Sequence, residues 1–325
     1  MNILRRASSS SPIVIASMKR PFNTLRISAE LPGNPSPTLA HGIHVFHCPF
    51  IDFFFVSMSL YGTFIPLLEA MKIESIWEIN SGDEVGNEFV FDPIKWQRKQ
   101  MNNDFLDLSK MFNAVKSLVR VPSVDPKYKI AVLASKQDHC LVDLLHAWQD
   151  GKLPVHIRSV ISNHDRVPNT HVIRFLERHD IPYHYLSKSK EKNIEDEILD
   201  LVQDTDFLVL ARYMQVLSGT FLKRYGKDVI NIHHGLLPSF KGGNPSRQAF
   251  EAGVKLIGAT SHFVTEELDG GPIIEQMVER VSHKDNLLSF IQKSENLEKQ
   301  CLLKAIKSYC ELRVLPYEEN RTVVF

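Results

Sequence analysis

The sequence predicts an α/β fold: a doubly wound, mostly parallel sheet preceded by a smaller domain. Three observations predict it. Short apolar strands alternate with amphipathic helical runs from Ile130 to the C-terminus. A chain of 325 residues is long enough for about two domains. Pro122 and Pro126 interrupt the pattern just before the alternation starts, where a linker into the main domain belongs.

Residues 1–39 read as a leader and linker. From Met1 to Ala29 there is no Asp or Glu, while Arg5, Arg6, Lys19, Arg20 and Arg26 supply positive charge and Ser8 to Ser11 is a serine run. An Arg- and Ser-rich, acid-free leader has the composition of an organellar transit peptide, and a basic tail of a cytosolic protein is the alternative. A mitochondrion is the expected destination, with a plastid as the second. Leu31 to Leu39 holds three prolines and a glycine and reads as the linker.

Residues 40–121 read as the small domain, with a strand over Gly42–Cys48 and a helix over Asp104–Arg120. Between Pro49 and Gly86 no clean period is visible. His41, His44, His47 and Cys48 invite a metal reading, but on a strand His41 and His47 share one face and His44 and Cys48 the other, so four ligands do not converge.

The main domain, 127–325, carries strands at Ile130–Leu133, Val155–Ile161, Phe207–Leu210 and Val229–His233. Helices fall between them: Leu141, Leu144, Leu145 and Trp148 recur at helical spacing, His171–His179 follows, and Ile194, Ile198, Leu201 and Val202 share a face. Two late strands, Gly258–Val264 and Ile273–Val281, precede a helix over Leu287–Tyr309. No internal repeat is visible.

Bulk composition is ordinary for a soluble protein, with 43% apolar and 23% charged residues. A formal net charge of zero gives no sign of nucleic-acid or membrane-surface binding. No apolar run reaches the ~18–20 residues of a membrane span; Phe50–Leu60 is too short and contains Asp52. Cys48, Cys140, Cys301 and Cys310 are scattered and read as free thiols in a reducing compartment.

Two motifs carry chemistry: the run from Val229 to Gly242, and Asp269-Gly270-Gly271-Pro272. The first is a strand entering a polar loop. Side chains alternate along a strand, so Asn231 and His233 share a face, roughly 6–7 Å apart. An amide and an imidazole aimed out of a strand's carboxyl end suit polarisation of a carbonyl, and that end is where open α/β sheets bind ligands. Asp269 could complete the constellation. Alternatively, Asp269–Pro272 is a plain turn before a strand, or His233, His234, His262 and Asp269 are metal ligands. No HxxxH or CxxC pair supports a metal, and none is expected.

These residues resemble the folate-dependent formyltransferase family, whose hallmark is Asn-x-His on one strand and Asp in a later Asp-Ala-Gly turn. The segments NIHHGLLPSFKG and GATSHFVTEELDGGPIIEQ carry the resemblance, which runs from Lys127 to the C-terminus; Gly270 stands where the family usually has Ala. It implies a formyltransferase-type sheet with Asn231, His233 and Asp269 as catalytic residues. It further implies a pterin lying against Met214, Gln215, Val216 and Leu217 and against Val264, Thr265, Glu266, Glu267 and Leu268, largely through backbone. It also implies an ACT-like α+β domain before the sheet, with GIHVFHCP and NEFVFDPIKW at its start and end. The middle of that domain departs from the family pattern, lacking the usual helix and Asp-x-x-Gly ligand loop between Pro49 and Gly86.

The acceptor is read from what is missing. Family members acting on glycinamide ribonucleotide hold its phosphate in a glycine-rich loop after the first strand, because close approach needs bare backbone amides. Here that loop is Ser135-Lys136-Gln137-Asp138-His139-Cys140; it has no glycine and Asp138 repels phosphate, although Lys136 could bind an anion. His234 stands where the transferases carry proline. The expected activity is therefore hydrolysis of 10-formyltetrahydrofolate to formate and tetrahydrofolate. Asn231 and His233 would stabilise the oxyanion, and Asp269 would position or deprotonate water, or keep His233 donating. Formyl transfer to an amine such as glycinamide ribonucleotide, and an inactive folate-binding protein, are the alternatives. The folate is substrate, so no cofactor is expected; water is the co-substrate, nucleic acid and membrane are not partners, and a homo-oligomer is expected.

Overall fold

In the computed structural model, described for residues 13–17, 24–29, 40–47, 75–81, 84–91, 94, 96–111, 116–187, 193–317 and 321–324, the chain divides into two units. Residues 1–126, 311–318 and 325 fall to the first, residues 127–310 and 319–324 to the second.

The first unit contains strands β1 (Ile13–Ser17), β2 (Thr24–Ala29), β3 (Ala40–His47), β4 (Ser75–Ser81), β5 (Glu84–Phe91) and β6 (Lys116–Arg120). Among the described residues they form an antiparallel sheet in the order β1-β2-β4-β5-β3-β6. Helix α1 (Arg98–Met111) buries Met101 and Phe105, one helical turn apart. Arg98 grips Asp125 with two charge-assisted hydrogen bonds, Nε to Oδ1 at 2.8 Å and Nη2 to Oδ2 at 2.9 Å.

Several expectations for this unit are corrected or bounded. The helix expected over Asp104–Arg120 begins six residues earlier and ends at Met111. Residues 116–120 instead form β6, paired with β3 from Ile43↔Arg120 to His47↔Lys116. Leu118 and Val119 are as well suited to a half-buried strand as to a helix, and cross-strand pairing outweighs the local helical preference. Two strands, β4 and β5, lie in or enter the Pro49–Gly86 stretch, where no pattern was assigned, and pair antiparallel from Ser75↔Val90 to Ser81↔Glu84. Cys48 and the rest of 48–74 lie outside the described residues, and the ACT-like reading of 40–121 is what the resemblance implies. The stretch read as leader and linker, 1–39, contributes β1 and β2 and otherwise lies outside the described residues.

The second unit is built on β7 (Tyr128–Ala134), β8 (Val155–Ser162), β9 (Tyr183–Tyr185), β10 (Phe207–Ala211), β11 (Val229–His233), β12 (Leu256–Phe263) and β13 (Ile273–Arg280). Their order among the described residues is β13-β12-β11-β10-β7-β8-β9. The first five along the chain pair in parallel, and β12 and β13 add antiparallel to the edge. Beginning at β7, the chain builds outward through β8 and β9, then crosses back to lay β10 on the opposite side of β7. That reversal opens a crevice at the carboxyl ends of β7 and β10, the position where such sheets bind ligands.

Helices α2 (His139–Gln149), α3 (His171–Arg178), α4 (Ile194–Leu201), α5 (Gly219–Tyr225), α6 (Pro245–Glu251) and α7 (Leu287–Cys310) complete the unit. On one face Ala131, Leu133, Leu208 and Leu210 pack with Ile198 of α4 and with Phe221 and Tyr225 of α5. On the other, α7 lies across β11, β12 and β13 and against α2. Burying each Leu, Ile or Phe in these layers contributes roughly 1.5–3 kcal/mol. Strand β10, buried at every position, reads as the continuous apolar run that a sheet covered on both faces requires. The short β9, α5 and α6 were not anticipated, nor were β14 (Val314–Tyr317) and β15 (Arg321–Val324). No helix among the described residues is long and apolar enough to cross a membrane.

The second unit has its own core and begins at Lys127, so a chain starting at Val121 is expected to fold without the first unit. Its thermal melt should show one cooperative transition. A broad, non-cooperative melt or aggregation on purification would mean that the sheet depends on residues 1–120.

Candidate active site

The site starts at the end of β11. Antiparallel pairing with β12 brings Asn231 opposite His262 and His233 opposite Thr260. Asn231 Nδ2 reaches His262 Nε2 at 3.1 Å, and His262 Nδ1 lies 2.8 Å from its neighbour's carbonyl, Phe263 O. A carbonyl only accepts, so Nδ1 carries the ring proton and Nε2 accepts from the amide. After His233 the chain turns into a loop pinned to β12 by Thr260: its hydroxyl donates to Gly235 O at 2.8 Å and accepts from Leu237 N at 3.0 Å.

Asp269 arrives from the turn between β12 and β13. Its Oδ2 lies 3.4 Å from His233 Nδ1 and its Oδ1 3.8 Å from His262 Nε2, and Oδ2 accepts from Gly242 N at 2.9 Å. Asp269 has φ +52°, a left-handed conformation that Asp tolerates better than most residues. Gly271 makes the turn possible: a β-carbon there would sit 1.8 Å from the Phe263 carbonyl oxygen, so no side chain fits. Gly235 plays a similar part for His233, whose Nε2 would lie 2.9 Å from an added β-carbon.

Burial of the Asp269 carboxyl pushes its pKa up, but the hydrogen bonds from His233 and Gly242 N–H, with the nearby imidazoles, outweigh it and hold the group at about 2. Burial holds the His262 imidazole below its ordinary range. His234 is pushed down to about 3, by burial first and then by the Arg212 cation and His233. His233 is 4% exposed, and its Nε2 faces Phe240 O at 2.9 Å. Both His233 nitrogens therefore look at acceptors, one carbonyl and one carboxylate.

Asn231, His233 and Asp269 open onto a cleft of about 230 Å³. All nine residues expected against a pterin line the same cleft: Met214, Gln215, Val216 and Leu217 from the loop before α5, and Val264, Thr265, Glu266, Glu267 and Leu268 from the loop after β12. Met214, Val216 and Leu268 expose much of their apolar surface there, as a flat aromatic ligand would need. At the rim, Lys223 pairs with Glu266 at 2.6 Å and Lys241 with Glu267 at 2.9 Å. Met214 N donates to Ser135 Oγ at 2.9 Å, which ties the first of these loops to the end of β7.

Sequence reasoning missed a polar group beside this cleft. Arg212, 9% exposed at φ +62°, donates from Nε to Gln137 Oε1 at 2.9 Å and lies 3.5 Å from Glu298 Oε2. Glu298, buried on α7, also meets His139 Nε2 at 2.8 Å and accepts from Ser294 Oγ at 3.2 Å. The sign available in sequence was a glutamate at a core-facing position of α7, but its partners lie 86 and 159 residues away and no local pattern links them. Asp138 pairs with Arg166 at 2.5 Å, while Lys136 is exposed. His139, Cys140 and Glu298 could in principle share a metal ion. The Arg212 cation already faces that carboxylate, and burial pushes the Cys140 thiol well above its ordinary range, so the group has the chemistry of a buried ion pair. In the other candidate set, His233 Nδ1 and His262 Nε2 both face the Asp269 carboxylate, and the rings also meet Asn231, Phe263 O and Phe240 O, so these nitrogens have partners within the protein.

Comparison with known proteins agrees with this architecture. Residues 128–306 match the family model described as formyl transferase. The chain is 63% identical to formyltetrahydrofolate deformylase 1, mitochondrial, of Arabidopsis thaliana, over 91% of this chain and 92% of that protein. It is 59% identical to formyltetrahydrofolate deformylase 2, mitochondrial, of the same plant, over 99% and 100%. The crystal structure of a formyltetrahydrofolate deformylase from Pseudomonas syringae pv. tomato superposes with a TM-score of 0.75 at 33% identity, covering 89% of this chain and 95% of that one.

Two outcomes test the geometry. Gly271→Ala is expected to yield misfolded or strongly destabilised protein, because the obstacle is a backbone oxygen that cannot swing aside; a native-like melt would contradict it. The second concerns pH. His234 is held neutral in the folded chain and titrates normally when unfolded, so between its ordinary value of 6.5 and about 3 the unfolded state binds the extra proton. Stability from this group is complete above the ordinary value and is lost as pH falls. Urea unfolding at about pH 7 and about pH 5 should show that His234→Leu flattens the loss, by up to about 1.4 kcal/mol per pH unit.

Proposed function

The chain belongs to the formyl transferase family, and from that membership we propose that it is a hydrolase converting 10-formyltetrahydrofolate and water to formate and tetrahydrofolate. The observation that carries the reading is the linked group Asn231–His262–Asp269–His233 at the base of a cleft lined by the expected pterin contacts. The names of its Arabidopsis relatives support both the reaction and a mitochondrial site of action.

In this reading water adds to the formyl carbon and charge develops on the formyl oxygen. Asn231 has one amide hydrogen left after His262 takes the other, and it is free to donate to that oxygen. Two acceptors call for two N–H donors, so in this reading His233 acts as the imidazolium, Nδ1–H donating to Asp269 and Nε2–H to the formyl oxygen, which replaces the Phe240 carbonyl. Of the roles open to Asp269, the low pKa favours positioning. A carboxylate near 2 is a poor proton acceptor at neutral pH but a firm hydrogen-bond acceptor, fixing the His233 ring and orienting water. Collapse of the tetrahedral adduct breaks the carbon–N10 bond; one proton of the water ends on N10 of the leaving tetrahydrofolate, and the other is released to solvent as the nascent formic acid ionises to formate. The folate is substrate throughout, and the reading calls for no cofactor.

Charge around the acceptor loop supports water over a phosphorylated amine. Asp138 faces Arg166, and Glu298 faces Arg212, so the charge of the two buried cations near the loop is already offset. A phosphate dianion would meet a glycine-free loop with one exposed lysine, Lys136. A homo-oligomer, expected from the sequence, remains part of this proposal.

His233→Ala and Asp269→Asn are each expected to lower formate release by about 100- to 1000-fold while tetrahydrofolate binding changes little. Turnover by the unaltered chain should survive exhaustive chelation. Normal turnover in either variant, or loss of turnover on chelation with recovery on adding back one metal, would defeat the assignment of roles.

A further inference from the structure

The proposed hydrolysis creates a small carboxylate inside the cleft, and two side chains lining that cleft have unused hydrogen-bonding capacity. Arg212 Nη1 is buried with no hydrogen-bond partner, although Nε and Nη2 both donate to Gln137. A buried donor left unpaired is costly, so an arrangement that keeps one calls for a ligand or water to meet it. His234 is the second. Its carbonyl accepts from Ser294 Oγ at 3.5 Å, but its ring nitrogens have no protein partner among the described residues. Its ring centroid lies 5.5 Å from that of His233, and both His234 and Arg212 line the cleft.

We propose that Arg212 and His234 form a subsite for the formate anion released at His233. The inference rests on the hydrolysis reading and specifies where its product goes. A carboxylate has two oxygens; Arg212 Nη1 can donate to one and a neutral imidazole N–H to the other. The Arg212 cation contributes to keeping His234 neutral, with a donor on one nitrogen only. Glu298 offsets the Arg212 charge at 3.5 Å, so the subsite attracts a monoanion only weakly and lets it leave. The same offset disfavours a dianion. Gln137 restrains the guanidinium from the other side, so its free edge is held in one orientation.

The test is binding of 13C-formate to the full-length chain saturated with tetrahydrofolate, followed by NMR line broadening, with ionic strength held constant by sodium chloride. Saturable broadening is expected, reversed by excess unlabelled formate. Arg212→Gln and His234→Leu should each weaken it about tenfold or more at saturating tetrahydrofolate, while each variant keeps a single cooperative thermal transition at about pH 7. Because Arg212→Gln removes the arginine cation that faces Glu298, leaving it with His139 and Ser294, the double change Arg212→Gln with Glu298→Gln removes the carboxylate charge as well, and it should weaken formate equally. Broadening that is absent, unchanged in all variants, or abolished by chloride at the same concentration would overturn the subsite. The titration needs no turnover. Formate bound through Arg212 and His234 by a chain that releases none from 10-formyltetrahydrofolate would uphold the subsite and overturn the hydrolysis reading alone.

Discussion

The arrangement of the cleft depends on one carboxylate. Asp269 joins three segments: the end of β11 through His233, the end of β12 through His262, and the loop after β11 through Gly242 N–H. Those contacts do more than hold the segments. They keep the carboxyl ionised against the pull of burial, and an ionised carboxylate can only accept, which orients every donor around it. Remove the charge and the imidazole at His233 loses its fixed orientation. The turn that delivers Asp269 is correspondingly demanding, with a left-handed aspartate followed within two residues by a glycine pressed on the Phe263 carbonyl.

That carboxylate is effective because the sheet has already brought its partners to one edge. The reversal of strand order between β7 and β10 leaves a crevice at their carboxyl ends, and β11 and β12 extend the floor beside it. Antiparallel pairing of β12 on β11 sets His262 directly across from Asn231, a register that a purely parallel sheet would not produce. The apolar layers under α4 and α5 and under α7 supply the rigidity on which a hydrogen-bonded group needs to sit.

How much of this was legible follows from the range of the signals. Alternation along β11 put Asn231 and His233 on one face from local sequence alone, and the apolar runs of β7, β8 and β10 announced a covered parallel sheet. His262 was visible as a histidine in a strand and as a candidate metal ligand, but not as the partner of Asn231, because that pairing is with a residue 31 positions earlier. The Arg212–Glu298 contact is less legible still: a buried charge pair has no periodicity, and each member alone looks like an ordinary polar residue. In the first unit the failure was different in kind. Lys116–Arg120 has no decisive local preference, so pairing with β3 decided its conformation, and the helix read through it was too long.

The distribution of charge beside the cleft bears on why water, and not an amine, is the acceptor. A transferase acting on a phosphorylated amine needs uncompensated positive charge or bare amides near the end of its first strand. In this chain the corresponding loop brings Asp138 to Arg166 and Gln137 to Arg212, while Glu298 reaches the same arginine from α7. Each cation is thereby turned inward into structure. Arg166 Nε and Arg212 Nη1 are left without a hydrogen-bond partner, and of the two arginines only Arg212 lines the cleft, beside the neutral imidazole of His234: donors for a small, singly charged or neutral oxygen compound. A site so furnished can hold water or formate and has little with which to hold a phosphate. A loop without glycine and cations already faced by carboxylates act in the same direction, against a phosphate.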